Sequence, residues 1–130
     1  MSTTSEPRAA RNRILVKSTW GSDDPTRSAL AFLHGNALAD GGHDVQIFLI
    51  GEAVSLMRKP VREAIVPVGW PPLREIIADT VVRGIPIHSC GACSAARGVT
   101  QDDLEELGAV FGTPESLVAL IEWADKIVAE

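Results

Sequence analysis

Two short apolar runs, residues 14–16 and 45–50, constrain the fold more than any other feature of this sequence. Strands buried on both faces of a parallel sheet carry such continuous apolar runs, whereas half-solvated strands alternate apolar and polar residues. A helical pattern separates the two runs, and helical patterns alternate with shorter strand candidates after them. This alternation predicts an α/β domain with a mainly parallel sheet that is covered by helices on both faces.

The first predicted helix follows the turn at residues 21–25 and extends to about Ala39. Asp24 has the side chain of an N-cap, and Pro25 suits the first helical position. The apolar residues expected on its buried face are Leu30, Leu33 and Ala37.

Later elements are predicted from caps and spacing. Leu73, Ile77 and Val81 recur at helical spacing before Gly84, and Thr100 with Asp103 has the form of a capping box. A last helix starts at residues 113–114. The remaining strand candidates are residues 85–88, 109–111 and 126–129, of which the last could equally extend the preceding helix.

Length and charge limit the classes of function. The chain of 130 residues predicts one domain at residues 13–130, preceded by a loose tail at residues 1–12 that lacks apolar periodicity. A net charge of −5 argues against a nucleic-acid surface, and no apolar run is long enough to span a membrane. We therefore expect a cytoplasmic protein, in which both cysteine thiols are mostly reduced.

The two cysteines, Cys90 and Cys93, are the strongest candidates for chemistry. They follow a strand candidate and precede a helix or turn, where unpaired backbone N–H groups, such as those of Gly91 and Ala92, favour the thiolate. The neighbouring side chains of His88 and Arg97 could add positive potential. The alternative is that both cysteines are small buried hydrophobes, and the CxxC spacing alone leaves redox, metal and structural roles open.

Two other kinds of site are disfavoured. His88, Cys90 and Cys93 would supply three ligands, whereas a structural zinc site needs four, so no metal or other cofactor is expected. The turn at residues 21–27 lacks both common phosphate-loop patterns, and Asp23 and Asp24 place negative charge where a phosphate would bind.

Three segments together resemble the DsrE/DsrF/TusD family. They are Thr19-x-Gly21-x-Asp23-Asp24-Pro25, Gly42-His43-x-Val45-x-Ile47, and Gly84-Ile85-x-Ile87-x-x-Cys90 followed by Arg97-Gly98-Val99. The resemblance extends from about Arg13 to the C-terminus. It implies a three-layer α/β/α sandwich around a largely parallel sheet of about five strands, commonly assembled as trimers or hexamers.

The resemblance also implies a function, because characterised members of the family accept persulfide sulfur on a cysteine and pass it along a relay. Cys90 matches that cysteine by position, eight residues before Gly98. This sequence departs from the family pattern at two positions. Cys93 is an additional thiol, and Pro86 lies in the predicted third strand, which should therefore pair on one side only.

Three hypotheses follow for the function. The first is a persulfide carrier or small sulfurtransferase, in which Cys90 takes sulfur from a protein donor and passes it to an acceptor, or Cys93 releases it as sulfide. The second is a dithiol redox protein. The third is a non-catalytic oligomeric scaffold, because residues 52–72 are rich in apolar side chains and should cover a pocket or a subunit interface that partly buries Trp70.

Overall fold

The computed structural model describes residues 10–130, and within them five strands form a single sheet. The strands are β1 Arg13–Ser18, β2 Asp44–Leu49, β3 Ile87–Cys90, β4 Val110–Gly112 and β5 Lys126–Ala129. They are ordered β4-β3-β2-β1-β5, and every neighbouring pair is parallel. Most of the predicted tail, residues 1–9, lies outside the described residues. The carbonyl of Asn12 accepts a hydrogen bond from the backbone N–H of Asp44 at 2.9 Å.

Helices connect the strands in chain order. They are α1 Pro25–Asp40, the 3-10 helix Gly51–Met57, α2 Lys59–Glu63, α3 Leu73–Val82, α4 Gly91–Ala96, α5 Gln101–Leu107 and α6 Pro114–Trp123. The predicted caps are confirmed: Asp24 accepts a hydrogen bond from the Arg27 backbone N–H, and Thr100 forms a capping box with Asp103. The last strand candidate is a strand and does not extend α6.

Alternate residues along the strands pack into two apolar clusters on opposite faces of the sheet. The larger cluster joins Val16 and Ile47 to buried residues of α1, the 3-10 helix and α3. The smaller one joins Leu15 and Phe48 to Leu120 of α6. The helices thus cover both faces, which gives the predicted three-layer α/β/α architecture with one thick layer and one thin layer.

The third strand differs from the prediction in a way that matters for the cysteines. It begins at Ile87, after Pro86, and it pairs with β2 on one side and β4 on the other. The prediction that it pairs on one side only is therefore wrong. Pro86 precedes the strand, so its missing N–H costs no ladder bond, and its carbonyl accepts a hydrogen bond from Ile47 N–H at 2.9 Å.

The buried face of α1 was predicted only in part, because Leu33 packs against the larger cluster but Ala37 does not. Ala37 is exposed and Leu30 and Leu33 are half-buried. The residues that α1 buries are mostly small: Ser28, Ala29, Ala31, Phe32, Gly35 and Asn36. A Cβ on Gly35 would lie 3.1 Å from Ile47 Cδ1, so the small residues allow α1 to approach the sheet closely. The apolar spacing identified the helix but not the side on which the sheet lies.

The apolar segment at residues 52–72 is divided between core and surface. Its first part forms the 3-10 helix, and residues 53–57 are buried in the protein's own core. Val66, Val68 and Trp70 remain exposed. The expectation that the whole segment covers a pocket or an interface is therefore wrong for the first part, because the protein's own core buries it. None of the helices in residues 10–130 is long and apolar enough to cross a membrane.

Candidate functional site at the carboxyl edge of the sheet

The segments that follow β1, β2 and β3 meet at the carboxyl edge of the sheet, where parallel sheets form their sites. A Cβ on Gly21 would lie 2.2 Å from the backbone oxygen of Glu52, so only glycine allows the first two segments to approach so closely. The N–H of Gly51 donates a hydrogen bond to the sulfur of Cys93 at 3.2 Å, which joins the second segment to the third. The fold therefore brings all three segments to the two cysteines.

Cys90 is both the last residue of β3 and the N-cap of α4, which confirms the predicted position at a strand-to-helix junction. It is half-buried and packs against both apolar clusters. Because β4 also ends beside it, with Gly112 as its partner in the ladder, Cys90 lies between the carboxyl ends of two neighbouring strands. Cys90 is paired with β4, and the preceding residue, Ser89, is paired with β2, so the backbone of the sheet holds the thiol in place.

The surroundings of Cys90 stabilise its thiolate. Desolvation raises the pKa of the Cys90 thiol, but hydrogen bonds from the Cys93 backbone N–H, the Cys93 thiol and the Ala92 backbone N–H outweigh it. The positive charge of Arg97 acts in the same direction, so the net result is a lowered pKa. A lowered pKa increases the fraction of the nucleophilic thiolate near neutral pH.

Arg97 is held beside the cysteines by two contacts. Its Nε donates a hydrogen bond to the Glu52 carboxylate at 2.8 Å, and its Nη1 donates to the backbone oxygen of Cys93 at 3.2 Å. The expected positive charge near Cys90 is therefore present, although the ion pair with Glu52 offsets part of it.

His88 lies near the cysteines but does not add the expected positive charge. Desolvation lowers the pKa of its imidazole, so the ring is neutral near pH 7. The ring stacks on Phe48 with 5.9 Å between centroids, and its Nε2 lies 2.8 Å from the Gln46 side-chain oxygen. His88 thus packs on Phe48 on the α6 side of the sheet and forms one hydrogen bond there.

Beside Cys90, an apolar cavity of about 180 Å³ opens on the α6 side of the sheet. Cys90 forms part of its wall, and the other lining residues are Phe48, Ile50, Thr113, Pro114 and Leu117. Sequence reasoning did not identify these residues as part of a site. One sequence feature pointed to the cavity: residues 113–114 directly follow β4 and so lie at the same edge of the sheet as the cysteines.

Metal and phosphate groups fit this edge poorly. Across residues 10–130, no group of three or more His, Cys, Asp and Glu side chains could hold a metal ion. In the turn after β1, Asp23 accepts a hydrogen bond from Gly21 N–H at 2.8 Å and Asp24 caps α1. Carboxylates thus occupy donors that a phosphate would need.

Residues 10–130 thus form a three-layer α/β domain with a cysteine at the carboxyl end of β3, a strand inside the parallel sheet. A profile of the DsrE/DsrF-like family matches residues 13–129, and the chain belongs to that family.

Curated relatives and solved structures are consistent with this assignment. An uncharacterized protein of Methanocaldococcus jannaschii is 31% identical over 88% of this chain and 94% of its own. Another, from Methanopyrus kandleri, is 31% identical over 67% of this chain and 68% of its own. The crystal structure of the ychN protein from E. coli has a TM-score of 0.72 at 17% identity, covering 93% of this chain and all of that one. A conserved protein of unknown function from Bacteroides thetaiotaomicron has a TM-score of 0.63 at 18% identity. That match covers 91% of this chain and 94% of the other one. At these identities the two structures support the fold alone.

Proposed function

We propose that the protein handles sulfane sulfur, accepting it as a persulfide on Cys90. The observation that carries this proposal is a thiol of lowered pKa beside an open cavity, at the carboxyl end of β3 inside the sheet. Family membership supports it, since the resemblance implies sulfur transfer through a cysteine at this position. On this proposal the protein is a persulfide carrier or small sulfurtransferase.

The proposed transfer needs no external oxidant or reductant. The Cys90 thiolate attacks the outer sulfur of a donor persulfide; a new S–S bond forms as the donor's S–S bond breaks, and the donor thiolate leaves. The Cys90 persulfide then gives its outer sulfur to an acceptor thiolate by the same exchange. The hydrogen bonds that stabilise the Cys90 thiolate would also stabilise the persulfide anion.

Cys93 supplies a second route. Cys93 follows Cys90 by three residues in the first turn of α4, and its thiol is one of the groups that lower the pKa of Cys90. If the Cys93 thiolate attacks the inner sulfur of the Cys90 persulfide, hydrosulfide leaves and a Cys90–Cys93 disulfide forms. A cellular dithiol reductant must then reduce that disulfide before another cycle.

Mass spectrometry after incubation with a cysteine desulfurase and cysteine tests the proposal. We expect one added sulfur on Cys90, more persistent in Cys93→Ser because the release route is blocked. The Cys90→Ser variant is the matched control and should gain none. Absence of added sulfur on Cys90 in both the wild type and Cys93→Ser would exclude the carrier role.

A dithiol redox function is the second candidate, favoured by the CxxC spacing of the two cysteines at the start of α4. It predicts a Cys90–Cys93 disulfide that forms reversibly in the folded protein during a redox titration. A disulfide that forms only after unfolding would exclude both this candidate and the release of sulfide through Cys93.

Assembly and cellular location are also part of the proposal. Exposed apolar residues on the segment after α2, Val66, Val68 and Trp70, support a homo-oligomer, with a trimer or hexamer implied by the family resemblance. We place the protein in the cytoplasm, where a reduced Cys90 is maintained and protein sulfur donors and acceptors are available.

If Cys90→Ala retained all cellular function, a non-catalytic scaffold would replace the sulfur-handling proposal.

A further inference from the structure

Apart from Cys90 itself, the wall of the cavity beside it carries no ionisable side chain. Its other lining residues are apolar apart from Thr113, whose hydroxyl oxygen already accepts a hydrogen bond from Ser116 N–H at 3.0 Å as the cap of α6. A carboxylate or ammonium group inside the cavity would therefore lose its hydration without gaining a partner, which costs free energy. The chemistry of the wall selects against charged ligands.

The volume of the cavity suits a small group, although its mouth is open to solvent. An apolar protein cavity of roughly 150 Å³ holds one benzene molecule, and this cavity measures about 180 Å³. Its floor is rigid because Phe48 is 2% exposed and its ring packs closely on the backbone of β4. A Cβ on Gly112 would lie 2.6 Å from that ring, so glycine at this position allows the cavity to form at the end of β4.

We propose that, besides a protein donor, Cys90 accepts sulfur from a small-molecule persulfide whose organic group binds in this cavity and is uncharged, apolar and about the size of a benzyl group. The inference rests on the proposed function of Cys90 as the sulfur acceptor. On this proposal the cavity favours small apolar persulfides over peptide-derived persulfides such as that of glutathione. The carboxylates of such a peptide would lie in or near an apolar wall.

The transfer balances without a further reactant. With the organic group in the cavity, the outer sulfur of the donor R–S–SH reaches Cys90 in the wall. The Cys90 thiolate forms a bond to that sulfur while the S–S bond of the donor breaks. The organic thiolate leaves with the bonding electron pair and takes a proton from solvent.

The test compares benzyl persulfide with 4-carboxybenzyl persulfide, which differ by one carboxylate remote from the sulfur. Sulfur gained by Cys90 in the wild-type protein is measured by rapid quench and mass spectrometry. We expect the uncharged donor to react at least about tenfold faster, the ratio expected from a modest binding preference. Leu117→Trp, which fills the cavity, should bring the two rates close together.

Val118→Trp is the matched control, because Val118 neighbours Leu117 on α6 but is 54% exposed and does not line the cavity. It should keep the wild-type preference, with folding of both variants checked by circular dichroism. Equal rates for the two donors in the wild type would overturn the inference, as would an unchanged preference in folded Leu117→Trp. Sulfur gained from the desulfurase but from neither benzyl donor would overturn it while leaving the proposed function intact. Failure of every donor, inorganic polysulfide included, would instead reject the proposed function.

Discussion

At the scale of single residues, the reactivity of Cys90 depends on a balance between desolvation and local donors. Arg97 is the nearby full charge that contributes to the lowered pKa of this thiol. The backbone N–H groups of Ala92 and Cys93 cannot be removed by a side-chain substitution, whereas the charge of Arg97 can. Arg97 is thus the residue through which the electrostatic account can be tested.

Arg97→Gln should raise the pKa of Cys90, because it removes a positive charge that favours the thiolate. At pH values below the wild-type pKa, Cys90 is mostly the thiol in both proteins. At pH values well above the raised pKa, Cys90 is the thiolate in both. The alkylation rate should therefore fall a few-fold near pH 7 and match the wild type at high pH. The measurement is the rate of alkylation of Cys90 as a function of pH.

Arg83→Gln is the matched control for that profile, since Arg83 pairs with Asp40 at 2.9 Å next to the loop that precedes β3, at the other end of the strand. Its profile should overlay that of the wild type. A profile for Arg97→Gln that also overlays the wild type would mean that backbone donors alone set the pKa of Cys90.

At the scale of elements, local chemistry made most of the fold predictable. Apolar runs predicted β1 and β2, and capping side chains predicted the starts of α1 and α5. These features were readable from the sequence because each involves only a few neighbouring residues. The core face of α1 was not predictable in this way. It depends on which small residues allow close contact with Ile47, and that contact is tertiary.

The site was predictable in part for the same reason. The two thiols, and the strand-to-helix junction that holds them, are local in sequence. The cavity is not, because its wall combines Phe48 from β2 with Leu117 from α6, about seventy positions apart in the chain. The charge of His88 was also missed, since its neutral state results from burial in the folded sheet.

At the scale of the whole molecule, exposed apolar side chains predict association. Val68 is 90% exposed on the segment between α2 and α3, with Trp70 close by in sequence and 48% exposed. Clusters of exposed apolar residues on a surface mark interaction sites. We expect light scattering at micromolar concentration to give the mass of a trimer or hexamer, with Trp70 at the interface.

Val68→Asp should lower that mass, because it would bury a carboxylate without a partner in the interface. Val82→Asp is the matched control, since Val82 is 85% exposed on α3 and lies outside this segment. It should leave the mass unchanged. A monomeric wild-type protein would refute the prediction of a homo-oligomer.

We infer that the fold makes Cys90, rather than Cys93, the reactive thiol. Competitive alkylation of the folded, reduced wild-type protein near pH 7, with each cysteine quantified by peptide mass spectrometry, tests it most directly. We expect Cys90 to react at least about tenfold faster than Cys93, because thiolate character controls the rate. Equal rates, or faster modification of Cys93, would contradict it.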